Sequence, residues 1–495
     1  MLINQEEKNL YAKPEVCFNY PFKNKPFLHQ KAYLERFCYQ EKVALFADMG
    51  TGKTYMLINN AAILYDKGNI DAVLIVAPKG VYRNWTDIEI PKHMPSHVIY
   101  RVANWSPSPL KKDKKNLESL FDITEDLKIL AMNVEAFSTL KGTAFAKRFV
   151  NAHNSLMIVD ESTTIKTPKA SRSKNAVKVG SLVKYKRIAT GSPITKSPMD
   201  IYMQCEFLGS SLLNIPSYYA FQARFANVIE TSVATHSFKK IVGYRRLDEL
   251  QEKISSFSFR VTKEECLDLP DKLYSIRHVN LTKEQTKSYV EMKKRALAQF
   301  SEGITSTVNF LTQLLRLHQI VCGHVKLDDG QVLTLPNNRL QELLNVIEEA
   351  DGKIIIWANY RHDIEQIKKT LQKEHGMNSV VTYYGDTSTE DRQEAIEKFQ
   401  NKDSDVRFFV GNPKTGGYGI TLTEASLVVY YSNNFDLEVR LQSEDRAHRI
   451  GQTKNVTYVD LLCVGTVDEK IVKALRSKID IASEVLGEDP KKWLI

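Results

Sequence analysis

The chain has 495 residues, of which 43% are hydrophobic, 26% charged and 9% aromatic. That length accommodates about three compact units at roughly 150 residues each, and 22 glycines with 16 prolines exclude collagen-like, fibrous and disordered classes. Lys plus Arg exceeds Asp plus Glu by 68 to 59, a net charge of +9 that admits a polyanionic partner without requiring one.

The opening MLINQEEKNLYAK lacks the charged-then-apolar order of a secretion signal. Residues 1–26, patterned only by Pro14, Pro21 and Pro26, read as a small N-terminal appendage. Beyond them, short apolar runs bounded by turn residues alternate with helical patterns, the signature of a parallel sheet with crossover helices. The first series of predicted strands is VALFA (43–47), AVLIVAP (72–78), LKILAM (127–132), SLMIVDE (155–161) and RIAT (187–190). Between them, KKDKK at 111–115 reads as a solvated loop. Residues 197–338 read as mostly helical, from the 3.6-residue apolar spacing of YVEMKKRALAQF and NFLTQLLRLHQIV. The second series is KIIIWA (353–358), SVVTYY (379–384), VRFFVG (406–411), LVVYY (427–431) and VTYVDLLC (456–463). Two such series imply two α/β domains. No apolar run approaches the roughly 20 residues that span a bilayer, so a soluble, unexported protein is expected. That places it in the cytoplasm of a prokaryotic or phage-infected cell, or the nucleus of a eukaryotic one.

The six cysteines are scattered, no two closer than 21 residues, which excludes a CxxC zinc or redox pair and suits a reducing compartment. His318, Cys322 and His324 offer three metal-type side chains without a fourth, and read as packing residues.

Three segments carry chemistry. ADMGTGKT (47–54) follows a strand directly, and a glycine-rich turn entering a helix aims backbone N–H groups at phosphate oxygens. There Lys53 would reach the β- and γ-phosphates of a nucleotide and Thr54 would ligate magnesium. IVDESTTIK (158–166) ends a strand in two carboxylates, at the sheet edge where α/β proteins bind ligands. Asp160 would hold magnesium through water, and Glu161 would orient and deprotonate the attacking water. Far downstream, QSEDRAHRIGQ (442–452) carries Arg446 and Arg449, which share one face if the segment is helical. Read alone they are a surface pair. Read with the other two segments they supply planar forks for phosphate oxygens.

In order along the chain, these segments resemble the Swi/Snf-type ATPases of superfamily two helicases and translocases. PFLHQKAYLERF resembles the adenine-recognition segment, ADMGTGKT and VDESTTIK motifs I and II, and LIVAPKGVYRNW (74–85) motif Ia. ATGSPITKSPMDIY (189–202) resembles motif III, while WANYRHDIEQI (357–367) and YYGDTSTEDRQEAIEKF (383–399) resemble the motif IV region. GNPKTGGYGITLTEAS (411–426) and QSEDRAHRIGQ resemble motifs V and VI, and GTVDEKI (465–471) follows as in that branch. The departures are DEST for DEAH, NPKT for STRA, Ala47 for the first P-loop glycine, Thr51 for leucine, and Tyr418 and Thr421 in motif V.

The resemblance implies two RecA-like α/β domains, 27–270 and 271–480, with helical insertions after motif III and before motif IV and a tail at 481–495. It implies ATP and magnesium as cofactors, held between the domains. Gln30, Gly50, Gly52, Lys53, Thr54, Gly419 and Gln442 would surround the nucleotide, Thr54 and Asp160 the metal, and Lys53, Glu161, Arg446 and Arg449 would act in hydrolysis. Lys79, Asn359 and Thr415 match segments that contact nucleic-acid backbone. Such contacts read no sequence. Lys293-Lys294-Arg295 and Arg245-Arg246 read as solvated faces, and Trp85 and Trp105 as packing residues. The expected activity is a DNA-dependent ATPase that remodels duplex and branched DNA, with no protein partner implied. An RNA helicase and a catalytically degenerate nucleic-acid scaffold are the rivals.

Overall fold

A parallel sheet covered by helices on both faces needs strands apolar at every position, and several runs of this chain meet that demand. The structure, a computed structural model, describes residues 19–486 except 80, 234–235, 302–306, 328–329, 386 and 417–419. Contacts divide the chain into two units. One runs to Asn227 and resumes over Val242–Asp268; the other comprises Val228–Ile241 and Leu269–Ser483.

In the first unit, β1 (Lys42–Ala47), β2 (Ala72–Ala77), β3 (Tyr100–Asn104), β4 (Leu127–Asn133), β5 (Ser155–Asp160) and β6 (Tyr185–Thr190) follow one another with helical crossovers. A two-stranded ribbon, β7 (Ala226–Val233) and β8 (His236–Tyr244), most of which belongs to the other unit, precedes the last strand, β9 (Ser258–Val261), in the chain. The sheet order is β3-β4-β2-β5-β6-β1-β9, with every pairing parallel. β2 and β5 are buried along their whole length. The helix Lys53–Asp66 covers one face, burying Met56, Leu57, Ala61 and Leu64 against Val43, Leu45, Val73 and Ile75. Residues 19–26 pack on this unit: Lys23 Nζ donates to Pro91 O, and Tyr20 and Phe22 lie against the core.

In the second unit, β10 (Lys272–Val279), the hairpin β11 (His324–Lys326) and β12 (Val332–Thr334), then β13 (Lys353–Trp357), β14 (Val380–Tyr383), β15 (Phe408–Gly411), β16 (Ala425–Tyr430) and β17 (Val456–Cys463) complete the strands. The large sheet runs β10-β17-β16-β13-β15-β14, again wholly parallel. Both units are thus the RecA-like α/β layers expected from the alternating pattern. Among the described residues no helix is long and apolar enough to cross a membrane.

The sequence reading departs from the structure in three places, each with a physical cause. Edge strands β3, β9 and β10 escaped it, because one-sided burial lets Arg101, Arg260, Ser275, Arg277 and His278 interrupt the apolar runs. KKDKK is not a loop but the start of the helix Lys111–Ser119, since lysine is a good helix former and Leu117 anchors the turn. Residues 197–338 do hold the helices Lys283–Ser301 and Thr307–Cys322. They also hold six strands: β-branched residues in ANVIETSV and VLT favour extended backbone over the helix expected there.

The His318–Cys322–His324 segment packs as structure, through a cluster of buried charges. Arg339, fully buried, donates to Asp468 and to the carbonyls of Tyr431 and Leu461. His318 meets Asp468 at 3.3 Å and Tyr360 Oη at 2.7 Å, while His324 Nδ1 lies 2.9 Å from Asp363. Burial alone would raise the Asp468 carboxyl, but Arg339 and His318 hold it below the usual carboxylate range. Its folded pKa is therefore depressed, so its contribution is complete above the unfolded value of about 3.9 and lost as the pH falls below it. Asp468→Asn, which leaves Arg339 charged and buried, is expected to cost about 3–5 kcal/mol. Denaturant titration at neutral pH should show that loss in the second unit, and the gap to wild type should narrow in acid.

Candidate active site

Four adjoining strands end at one edge of the first sheet, and their C-terminal loops carry the motifs. Asp160 pairs with Ala189, Phe46 with Thr190 and Ala47 with Val261, so β5, β6, β1 and β9 deliver their ends side by side. The loop after β1 turns through Gly50 and Gly52 at φ 82° and 85°, a left-handed backbone that favours glycine. A Cβ on Gly52 would also sit 2.3 Å from Gln30 Nε2. Gln30 and His29 are both buried and both donate to the carbonyl of Thr51, at 3.1 and 2.8 Å. The segment preceding the first strand therefore clamps the loop. Burial lowers the His29 pKa, with the bond to the Thr51 carbonyl opposing that shift. Lys53, the first residue of its helix, is drawn over the loop by the carbonyls of Ala47 (2.8 Å) and Asp48 (3.2 Å).

Asp160 ends β5, and Glu161 follows in the left-handed region at φ 46° and ψ 62°. A side chain there costs about 1–3 kcal/mol and persists only where its surroundings hold it. The holding groups are visible: Glu161 N–H donates to Asp160 Oδ1 at 3.0 Å, and Thr190 Oγ1 donates to Glu161 Oε2 at 3.1 Å. Motif III thereby touches motif II directly. The serine that replaces alanine in DEST is fully buried and donates to Gln204 Oε1 at 2.6 Å, tying the same turn to the helix Ile201–Leu208.

Two participants were not found by sequence reading. Trp85, expected to be packing only, is buried but donates its indole N–H to Asp160 Oδ2 at 2.9 Å. Arg260, on β9, bonds Asp48 Oδ1 at 3.0 Å and the carbonyls of Phe46 and Gly191 at 3.2 Å, joining the loops after β1 and β6. Asp48 Oδ2 also accepts from Lys263 N–H at 3.1 Å. Neither position has a spacing that marks it; only the sheet order brings them in.

The donor set fits a hard divalent cation. Asp160 is a buried carboxylate and hydroxyl-bearing Thr54 is the second residue of the helix after β1, and magnesium is commonly held by one or two such oxygens plus phosphate and water. Among the described residues no cluster of three His, Cys, Asp or Glu forms an all-protein cage. Burial raises the Asp160 pKa, while the Trp85 hydrogen bond, the charge of Lys53 and the Glu161 N–H oppose that rise.

In the second unit, Arg446 and Arg449 do converge, although not on a helix. The helix Leu437–Glu444 stops two residues earlier, and both guanidinium groups reach the carbonyl of Ile420, at 3.1 and 3.2 Å. Arg446 is buried, with its Nε on Gln442 O at 2.9 Å; Arg449 is half-buried. Gln442 is buried too, its side chain donating weakly to Glu438 at 3.4 Å. Gln452 Nε2 reaches the carbonyls of Thr423, Ala425 and Ala447, stapling the two motifs together. Gly419 lies outside the described residues.

The SNF2-related domain model matches residues 29–326, and the helicase conserved C-terminal domain model matches 337–451. The chain belongs to the SNF2-related family. An uncharacterized ATP-dependent helicase of Mycoplasma pneumoniae is 28% identical over 449 residues, 89% of this chain and 40% of that protein. The putative ATP-dependent helicase/translocase YwqA of Bacillus subtilis is 26% identical, covering 90% of this chain and 46% of its own length. The chain thus spans less than half of the curated relatives it matches. The Sulfolobus solfataricus SWI2/SNF2 ATPase core in complex with dsDNA aligns over 97% of both chains at 26% identity, with a TM-score of 0.43.

The three residues read as nucleic-acid contacts in this SNF2-related chain occupy different settings. Lys79 is exposed in the turn after β2, and Thr415 is half-buried in the short helix Pro413–Gly416. Asn359 is engaged by protein. Its Nδ2 donates to Ser432 O at 2.9 Å, its Oδ1 accepts from Asn434 at 3.2 Å, and its carbonyl accepts from Asn412 at 2.9 Å. That arrangement shapes motif V, whose exposed lysine, Lys414, has its N–H capped by Asn412 Oδ1.

Arg446, which read alone is half of a surface pair, is buried. Arg446→Ala is expected to lower the denaturation midpoint of the second unit together with any turnover. Arg449→Ala, at a half-buried position, should lower that midpoint less than Arg446→Ala does. Parallel denaturant titrations of the two variants check this.

Proposed function

We propose that the chain is an ATP-hydrolysing motor that tracks along duplex DNA and remodels branched DNA, by fork reversal and branch migration with some unwinding of forked ends. The observation that carries this reading is the convergence of Lys53, Asp160 and Glu161 at adjoining strand ends, with Thr190 bonded to the Glu161 carboxylate. A clamp or scaffold has no need to hold a glutamate in left-handed backbone beside a buried aspartate.

Each side chain has a definable task. The Lys53 ammonium exchanges two loop carbonyls for the β- and γ-phosphate oxygens. Thr54 and Asp160 would hold magnesium, which when bound would withdraw negative charge from those oxygens. Glu161 takes the proton of the attacking water, oriented by the Thr190 hydroxyl. Arg449, with Arg446 behind it, supplies the planar fork that stabilises charge on the transferred phosphoryl group. Lys79, Thr415 and the Asn359-supported motif V contact the DNA backbone, so binding is salt-dependent and indifferent to sequence. Tracking along duplex, which makes strands re-pair at a junction, supports branched DNA as the favoured substrate.

Lys53→Ala should abolish hydrolysis, while Glu161→Gln should bind ATP and fail to turn it over. Phosphate release measured side by side on single-stranded, duplex, forked and four-way DNA and on RNA checks the whole reading. Greatest stimulation by forked and four-way DNA is expected. Stimulation by RNA alone would make the chain an RNA helicase. No DNA-stimulated release, or near-normal turnover by Glu161→Gln, would overturn the assignment.

A further inference from the structure

The Asp160 carboxylate is held from both sides, and only one of the holders belongs to its own motif. Oδ1 accepts the Glu161 N–H at 3.0 Å, and Oδ2 accepts the Trp85 indole N–H at 2.9 Å. Indole can donate and cannot accept, so this bond forms with a carboxylate oxygen and resists its loss to a competing donor. Trp85 sits 75 residues upstream on the chain from Asp160, beyond the end of β2, the neighbour of β5 in the sheet. It is 1% exposed and packs in the core that includes Met94 and Ile90. It also opens a π-helical turn, Trp85–Glu89, a local widening that often accompanies functional sites. The same turn places Glu89 close enough for its charge to act on Asp160. Lys53 carries the opposite charge to Glu89 and acts on Asp160 more strongly, so the Trp85 bond fixes the orientation of a carboxylate that lies between unlike charges.

We propose that Trp85 is a positioning residue of the metal site, fixing the Asp160 carboxylate so that magnesium binds with the nucleotide at low concentration. The inference rests on the reading of Asp160 as a magnesium-holding group. The Trp85 indole N–H is engaged by Asp160 Oδ2, so it acts on the metal through that carboxylate. Groups that orient a ligating side chain from outside commonly change metal affinity 10–100-fold when replaced.

The test is equilibrium binding of a fluorescent ATP analogue to the full chain, titrated with magnesium from an EDTA baseline. Trp85→Phe keeps most of the ring and removes the donor. Trp105→Phe, at a buried indole away from Asp160, serves as the packing control. We expect Trp85→Phe to raise the magnesium concentration for half-maximal binding about tenfold or more, with affinity in EDTA unchanged and Trp105→Phe like wild type. Equal magnesium dependence in wild type and Trp85→Phe would overturn the role of Trp85 alone. Magnesium-independent binding by wild type would overturn the reading of the site itself. Should Trp85→Phe fail to fold, isotope-labelled wild type decides the matter. Of its four tryptophan indole N–H signals, the one not lost on replacing Trp105, Trp357 or Trp493 must shift when magnesium joins the nucleotide complex, and a stationary signal overturns the proposal.

Discussion

Wholly parallel pairing of β5, β6, β1 and β9 is the constraint on which the candidate site depends. The first three of these strands are buried or nearly so, which leaves their interiors no room for groups that must meet a charged ligand. The polar chemistry is forced to the strand ends, and parallel direction puts every C-terminal end on one edge. Asp160, Thr190 and the loop beginning at Asp48 become neighbours by register alone. Their mutual hydrogen bonds then refine a proximity that the sheet has already imposed.

The second sheet obeys the same rule with different groups. Trp357 and Gly411 end β13 and β15 in register, and the loops that follow are joined by Asn412 Nδ2 on the carbonyl of Asn359. Arg440 shows how charge is tolerated inside such a layer. It stacks 3.6 Å over the Tyr430 ring and bonds Glu444 and Asp460, so each buried charge has an opposite one beside it. Burial raises the Glu444 carboxyl, but Lys272 and Arg440 hold it below its usual range. Such a network costs desolvation, and its role here is to fix the helix that leads into Arg446.

Much of this was legible in the residues. Central strands such as AVLIVA and SLMIVD are apolar at every position, and GKT and DE follow strands in the order a nucleotide site requires. What escaped reading was decided by neighbours remote in sequence. Trp85 looks like any buried aromatic until β2 and β5 pair, and Arg260 looks like a surface charge until β9 joins β1. The convergence of Arg446 and Arg449 was anticipated from a helical spacing the chain does not have. It comes instead from one shared carbonyl, Ile420. Periodicity reports local backbone, whereas a hydrogen-bond acceptor supplied by another loop leaves no periodic trace.

The position of β9 bears on how the protein is made. Asp48 waits 215 residues for Lys263 N–H, and Phe46 waits 214 for Arg260. At synthesis rates of about 5–20 residues per second, that interval is roughly ten to forty seconds on the ribosome. Throughout it β1 is an uncovered edge, offering unpaired backbone groups to any extended segment nearby. The ribbon of β7 and β8 emerges first, so the nascent chain must keep those two strands from claiming that edge before β9 arrives. The loop after β1 therefore gains its last hydrogen bonds, from Lys263 and Arg260, only once β9 is in place.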